Sequence, residues 1–109
     1  MFAFLDGETV STEIAACDYK RIGEGDTGLN TGGVGAYAPP EFWTSELADR
    51  IRAEILEPTA RALVAEDSAF FGHFVCGAYD HQYWPTRVFE FNCRLGDPEC
   101  QVLMPKLKK

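Results

Sequence analysis

The sequence predicts an α+β fold, an antiparallel sheet with helices packed on one face, on three observations. Residues 44–66 carry apolar side chains at helical spacing with charged residues on the other faces. Residues 1–14 and 70–92 are rich in aromatic and β-branched side chains and contain turn signals, the pattern of strand hairpins. Between the first hairpin and the helix, six of the ten glycines (Gly23, Gly25, Gly28, Gly32, Gly33 and Gly35) fall within thirteen residues. With 46% hydrophobic and 13% aromatic positions in 109 residues, the chain has the apolar content of one folded domain and not of a disordered segment.

Each element has a local cause. Met1–Leu5 is a short apolar run, Asp6-Gly7 is a hairpin turn signal, and Thr9–Ile14 completes a hairpin over residues 1–14. Residues 15–40 read as a glycine-rich loop closed by Pro39-Pro40. Thr44 is placed to cap the helix over 44–66, Glu46 suits the positive end of its dipole, and Leu47, Ile51, Ile55 and Ala62 form its apolar stripe. Pro58 removes a backbone donor inside that helix, so a kink near Leu56 or a division into two segments is expected. Phe70–Tyr79 and Arg87–Asn92 read as antiparallel strands of a second hairpin over 70–92, joined by the loop Asp80–Pro85. Asp97 as cap, Pro98 at the first helical position and Glu99 in the first turn open a last helix over 97–108, with Lys106, Lys108 and Lys109 at its negative end.

Ten basic against seventeen acidic residues give a formal charge of −7. That balance argues against a nucleic-acid or anionic-membrane partner, both of which need clustered Lys and Arg. No window approaches the roughly 18 apolar residues of a membrane span, and no basic n-region precedes an apolar stretch, so a soluble, cytoplasmic chain is expected. Cys17, Cys76, Cys93 and Cys100 lack zinc spacing and read as reduced thiols. An anionic ligand would be held by a few placed groups.

Two places could supply them. Lys20-Arg21 leads into the glycines, whose backbone N–H groups can approach an anion without Cβ interference; a mobile surface loop has the same composition. Glu90 and Asn92 are two apart on a strand, so a carboxylate and an amide oxygen project together, hard donors suited to Mg²⁺ or Mn²⁺; a solvated polar face looks the same. Arg94 and the segment Gly96–Glu99 then add a guanidinium and a helix start, a place to stabilise a transferring phosphoryl group. Arg94 could equally pair with Asp97 or Glu99 to brace the corner. His73, His81, Cys93 and Cys100 show no activating pattern, and Trp43, Tyr83 and Trp84 read as packing residues.

Asp18-Tyr19-Lys20-Arg21 through Gly25-Asp26-Thr27-Gly28-Leu29-Asn30-Thr31-Gly32-Gly33-Val34-Gly35-Ala36-Tyr37, and Glu90-Phe91-Asn92-Cys93-Arg94-Leu95-Gly96-Asp97-Pro98-Glu99, resemble the phosphoribosylamine–glycine ligases (glycinamide ribonucleotide synthetases) of the ATP-grasp superfamily. Glu57-Pro58-Thr59 and the spacing between segments also fit, so the resemblance spans essentially the whole chain. It departs from the family pattern at Tyr19, at Val34 and between Tyr79 and Arg87.

The resemblance implies the C-terminal half of an ATP-grasp region. It implies ATP, glycine and 5-phosphoribosylamine as substrates, joined through glycyl phosphate in purine biosynthesis. Glu90 and Asn92 would hold Mg²⁺ or Mn²⁺ against the ATP phosphates, with Arg94 as the catalytic, charge-stabilising residue. Lys20, Arg21, Asp26, Asn30, Thr31, Gly32, Gly33 and Asp97 would form the substrate pocket. A complete ligase of this family is several times longer, so the chain is expected to carry part of a site and to need the missing half and flanking domains, or self-association, with no turnover alone. The alternatives are an ATP-grasp ligase for another substrate and a non-catalytic, oligomeric interaction module.

Overall fold

A computed structural model describes residues 1–81 and 84–107, with side chains described outside 75–86. Tyr83, Lys108 and Lys109 and the side chains of Cys76, His81 and Trp84 therefore lie outside the described residues. Among the described residues, six strands and three α-helices follow in the order β1 (Phe2–Asp6), β2 (Thr9–Val10), β3 (Cys17–Gly23), β4 (Thr27–Tyr37), α1 (Ser45–Ile51), α2 (Glu57–Ala65), β5 (Phe71–His81), β6 (Trp84–Asn92) and α3 (Glu99–Leu103).

The first hairpin forms at the Asp6-Gly7 turn, with Leu5 opposite Val10 and Asp6 opposite Thr9, but its second strand spans only Thr9–Val10 of the expected Thr9–Ile14, beyond which an isolated bridge joins Phe2 to Ile14. β1 then pairs antiparallel with β5, and β5 with β6, giving one antiparallel sheet in the order β2-β1-β5-β6. Helices α1 and α2 cover one face. Ala3, Leu5 and Phe74 from the sheet meet Ile51, Ile55, Leu56 and Ala60 from the helix, all at most 9% exposed. Ala3 and Leu5 are two apart on one strand, so they share that face.

Thr44 caps α1 as expected, its hydroxyl accepting from the Leu47 amide at 3.1 Å. The helical division expected at Pro58 takes the form of a π turn over Arg52–Leu56, in which the Glu57 amide reaches back to Arg52 O. Proline cannot donate to the carbonyl of Glu54 and its ring would strike it; the wider turn moves that carbonyl aside. The extra residue in the turn also shifts the helical phase. Leu56 and Ala60 join Ile51 and Ile55 in the core, and Ala62, expected on the apolar stripe, is exposed.

Three further expectations are corrected. The strands of the second hairpin take in most of the loop expected over Asp80–Pro85, with β5 continuing to His81 and β6 beginning at Trp84. Residues 15–40 are not a loop for most of their length: β3 and β4 form a two-stranded antiparallel ribbon with Cys17 opposite Tyr37, Tyr19 opposite Gly35 and Arg21 opposite Asn30. Moving two residues along β3, from Tyr19 to Arg21, corresponds to five along β4, so residues 31–34 form a wide bulge, and the glycines accommodate that bulge within strand structure. The last helix is also shorter than residues 97–108. α3 spans five residues and gives way to a 3₁₀ turn over Met104–Lys106, because Pro105 has no donor to continue it. Its N-cap position is held by Pro98, after a cis peptide to Asp97, and the Asp97 carboxylate accepts from Gln101 Nε2 at 2.7 Å in place of capping the helix.

Cys17, Cys93 and Cys100 are free thiols. Among the described residues, no helix is long and apolar enough to cross a membrane.

Candidate active site

The face of the sheet that carries Glu90 and Asn92 is decided by a β-bulge. Gly77 lies opposite Glu90 and Ala78 opposite Val88, which leaves Phe89 as an extra residue on β6. Val88 packs on the helical core, and Phe91 meets Phe74 with ring centroids 5.1 Å apart, so both lie on the helix side although they are three positions apart. Strict alternation from Val88 would have turned Glu90 and Asn92 into that core. The bulge turns them to the opposite, open face.

That open face is shared with Phe2, Phe4 and His73, since Phe4 lies opposite His73 on β5 and Val75 opposite Asn92 on β6. Beyond it lies a cavity of about 750 Å³, lined by Phe2, Phe4, Ile14, Trp43, His73 and Leu103 among others.

The ribbon reaches the same region through Lys20 and Gly33. Lys20 pairs with Asp18, two residues back on the same side of β3, at 2.5 Å. That hydrogen bond pushes the ammonium above its ordinary value; slight desolvation opposes it, and the charges of Asp18, Glu99 and Glu90 reinforce it. Lys20 thus stands in the field of both carboxylates of the distant segment. Within the bulge, Thr31 donates from its hydroxyl to Lys20 O at 2.9 Å and accepts from the Gly33 amide at 3.1 Å. Gly33 in turn packs on the Asp97-Pro98 corner so closely that a Cβ there would lie 2.6 Å from Pro98 Cδ. At Gly32 a Cβ would meet nothing within 4 Å.

The remaining candidates are spread more widely. Lys20 and Arg21 do not act as a converging pair, because successive residues of a strand point to opposite sides. Arg21 donates to Gly28 O at 3.4 Å and lies 4.0 Å from the Asp26 carboxylate, across the ribbon toward its Gly25-Asp26 turn, with Asn30 opposite it. Arg94 is exposed, and its guanidinium donates to Leu95 O at 3.1 Å, leaving the alternative brace to Asp97 or Glu99 unmade. Sequence reasoning passed over two charged neighbours of Lys20, namely Asp18 and Glu99. The spacing of Asp18 and Lys20 would have revealed the first had the segment been read as a strand. The second depends on tertiary contact alone.

The two segments, some seventy positions apart, thus meet where the bulged ribbon abuts the corner after β6. The family model for the phosphoribosylglycinamide synthetase ATP-grasp (A) domain matches residues 1–100. The chain belongs to this family. It is similar to the phosphoribosylamine–glycine ligases of Rhizobium meliloti, at 45% identity over 98% of the chain, and of Chlorobaculum tepidum, at 45% over 99%. The crystal structure of phosphoribosylamine–glycine ligase from Thermotoga maritima superposes with a TM-score of 0.85 at 33% identity, over 95% of the chain and 26% of that protein. The chain spans about a quarter of the length of the curated relatives it matches. Membership in the ATP-grasp (A) domain family agrees with an α+β fold built on antiparallel sheets.

Proposed function

We propose that the chain supplies part of the site of a phosphoribosylamine–glycine ligase acting in the cytoplasm in purine biosynthesis. In the reaction, glycine's carboxylate takes the γ-phosphoryl group of ATP, giving glycyl phosphate and ADP. The amine of 5-phosphoribosylamine then attacks the acyl carbon, the C–O bond to phosphate breaks, and glycinamide ribonucleotide forms as phosphate and a proton leave.

The observation that supports this reading best is the packing of Gly33 on the Asp97-Pro98 corner, with Lys20 in the electrostatic field of Glu90 and Glu99, because it brings both family motifs to one region. Glu90 and Asn92 are assigned to Mg²⁺ or Mn²⁺. Among the described residues no group of three His, Cys, Asp or Glu side chains is placed to hold a metal; the assignment rests on the chemistry of one carboxylate and one amide oxygen on a shared face, hard donors for a cation that takes its other ligands from phosphates and water. Bound there, the cation would supply charge neutralisation to the ATP phosphates. Arg94 is assigned to the charge of the transferring group. Lys20, Thr31, Gly32 and Gly33, with Arg21, Asp26 and Asn30 farther out and Asp97 at the corner, are assigned to glycine and 5-phosphoribosylamine. Positioning and electrostatics carry such a reaction, so no nucleophile is required of the protein.

The test is phosphate release from ATP, glycine and 5-phosphoribosylamine, measured on the chain alone and on a chimera in which it replaces the matching quarter of the Rhizobium meliloti ligase. The chimera is expected to turn over, and Glu90→Gln to slow it by roughly 100-fold or more, the scale of removing one electrostatic stabiliser from a site. The chain alone is expected to be inactive. Turnover indifferent to Glu90→Gln would refute the assignment. The exposed apolar residues Ile22, Leu29 and Val34 on the ribbon favour a second reading, a self-associating interaction module. Sedimentation as a stable oligomer with an inactive chimera would support that reading instead.

A further inference from the structure

We propose that His73 is a positioning residue for this site: the hydrogen bond from its Nδ1 to the Arg94 carbonyl fixes the course of the chain that carries Asn92 and Arg94. This rests on the assignment of Asn92 and Arg94 made above.

The β5–β6 register places Val75 opposite Asn92, and β6 ends there. Two residues further out, where a continuing ladder would set His73 opposite Arg94, no strand bond holds the chain. The imidazole bridges that place. His73 Nδ1 lies 3.2 Å from Arg94 O, a contact between residues 21 apart in sequence. A carbonyl oxygen can only accept, so the ring's proton is on Nδ1. Burial pushes the imidazole below its ordinary value, and the bond to Arg94 O opposes that, so at neutral pH the ring is a neutral donor.

The ring itself is held. Phe4 meets it edge-on with centroids 5.2 Å apart, and Phe2 lies 5.8 Å away on the same face. Phe2 is 5% exposed, so that wall is anchored in the interior. The Arg94 carbonyl is therefore tied to a fixed aromatic group, while the Arg94 side chain, folded onto Leu95 O, is otherwise exposed. Asn92 is two residues upstream of the tie.

Two substitutions separate the ring from its donor. His73→Phe keeps the packing and loses the N–H; His73→Asn keeps a donor at the same number of bonds from Cα and loses the ring. The chain is observed by nitrogen-15 NMR with Mn²⁺ and ATP as the probe, reading the broadening of the Asn92 side-chain amide. His73→Phe is expected to shift the Leu95 amide, which shares its peptide group with the Arg94 carbonyl. It should also raise the Mn²⁺ concentration for half-broadening about fivefold, the scale of one neutral hydrogen bond. His73→Asn should restore most of both. In the wild type, the imidazole nitrogens should report a protonated Nδ1, a measurement independent of either variant's folding. A wild-type ring protonated on Nε2 alone would overturn the proposal, as would broadening that responds to Glu90→Gln but not to His73→Phe; the metal assignment would then stand. Broadening absent, or indifferent to Glu90→Gln, would remove the metal assignment and this proposal with it.

Discussion

Replacing Gly33 with alanine puts a methyl carbon 2.6 Å from Pro98 Cδ, on a backbone with φ of +138°. Ordinary carbon contacts begin near 3.4 Å, so the ribbon or the corner must move by close to an ångström. The φ value lies where L residues are strained, at a cost of about 1–3 kcal/mol, and the overlap adds about 1–3 kcal/mol more if the contact is kept. The ribbon can escape this. Its residues are exposed or half-buried, and the buried cluster of Leu5, Leu56, Ala60 and Phe74 belongs to the other sheet and its helices. Gly33→Ala is therefore expected to detach the ribbon from the corner while the core stays folded. Amide exchange checks this: protection should fall at Thr31–Gly35 and remain at Ala3–Leu5 and Phe74. In the chimeric ligase, the Michaelis constants for glycine and 5-phosphoribosylamine should rise. Gly32→Ala is the control, with open space around its Cβ, and should change stability by less than about 0.5 kcal/mol. Unchanged ribbon protection in Gly33→Ala, or an equal loss in Gly32→Ala, would refute the assignment of this contact as the join between the two segments.

Leu56, 1% exposed on the π turn, should cost about 2–5 kcal/mol on truncation to alanine, read from the urea midpoint. Arg52 bonds the Glu13 carboxylate, whose side chain is 6% exposed, and the Val10 and Ser11 carbonyls. Arg52→Ala should cost about 3 kcal/mol by leaving that buried carboxylate without its ion-pair partner, and a double-mutant cycle with Glu13→Ala should show coupling above about 1 kcal/mol. For His73, burial lowers the folded-state pKa below the unfolded value of about 6.5, so between the two the unfolded chain binds more protons. Its contribution is complete above that unfolded value and is lost as pH falls through the folded one. Urea titrations at neutral and mildly acidic pH should therefore give a shallower loss of stability in His73→Phe than in the wild type.

The local signals that survived folding were those with a single physical cause. Thr44 caps a helix because its hydroxyl can meet an amide three residues on; Asp6-Gly7 turns because of its own backbone preferences. The π turn was legible only as an interruption, since Pro58 announces a missing bond without saying that an extra residue will be taken up, and Ala62 lost its expected burial for that reason. The ribbon was hidden by its glycines, which weaken a strand signal even where paired strands with a bulge need them. At the site, the pairing of Glu90 with Asn92 could be read from alternation, but the face they occupy could not, because the bulge at Phe89 arises from pairing with β5. Lys20's neighbours are still further from reach: Glu90 and Glu99 come to it only when two sheets are placed together.

The bulge at Phe89 also acts as a phase reset along β6. Residues toward the hairpin end can slip, lengthen or change in composition, and the mismatch is absorbed before Glu90. The aromatic stretch from Tyr79 to Arg87 lies on the far side of that reset in sequence. The Glu90–Asn92 face is thereby set by the pairing beyond the bulge, and an insertion engineered into the hairpin end should leave the orientation of the two oxygen donors untouched.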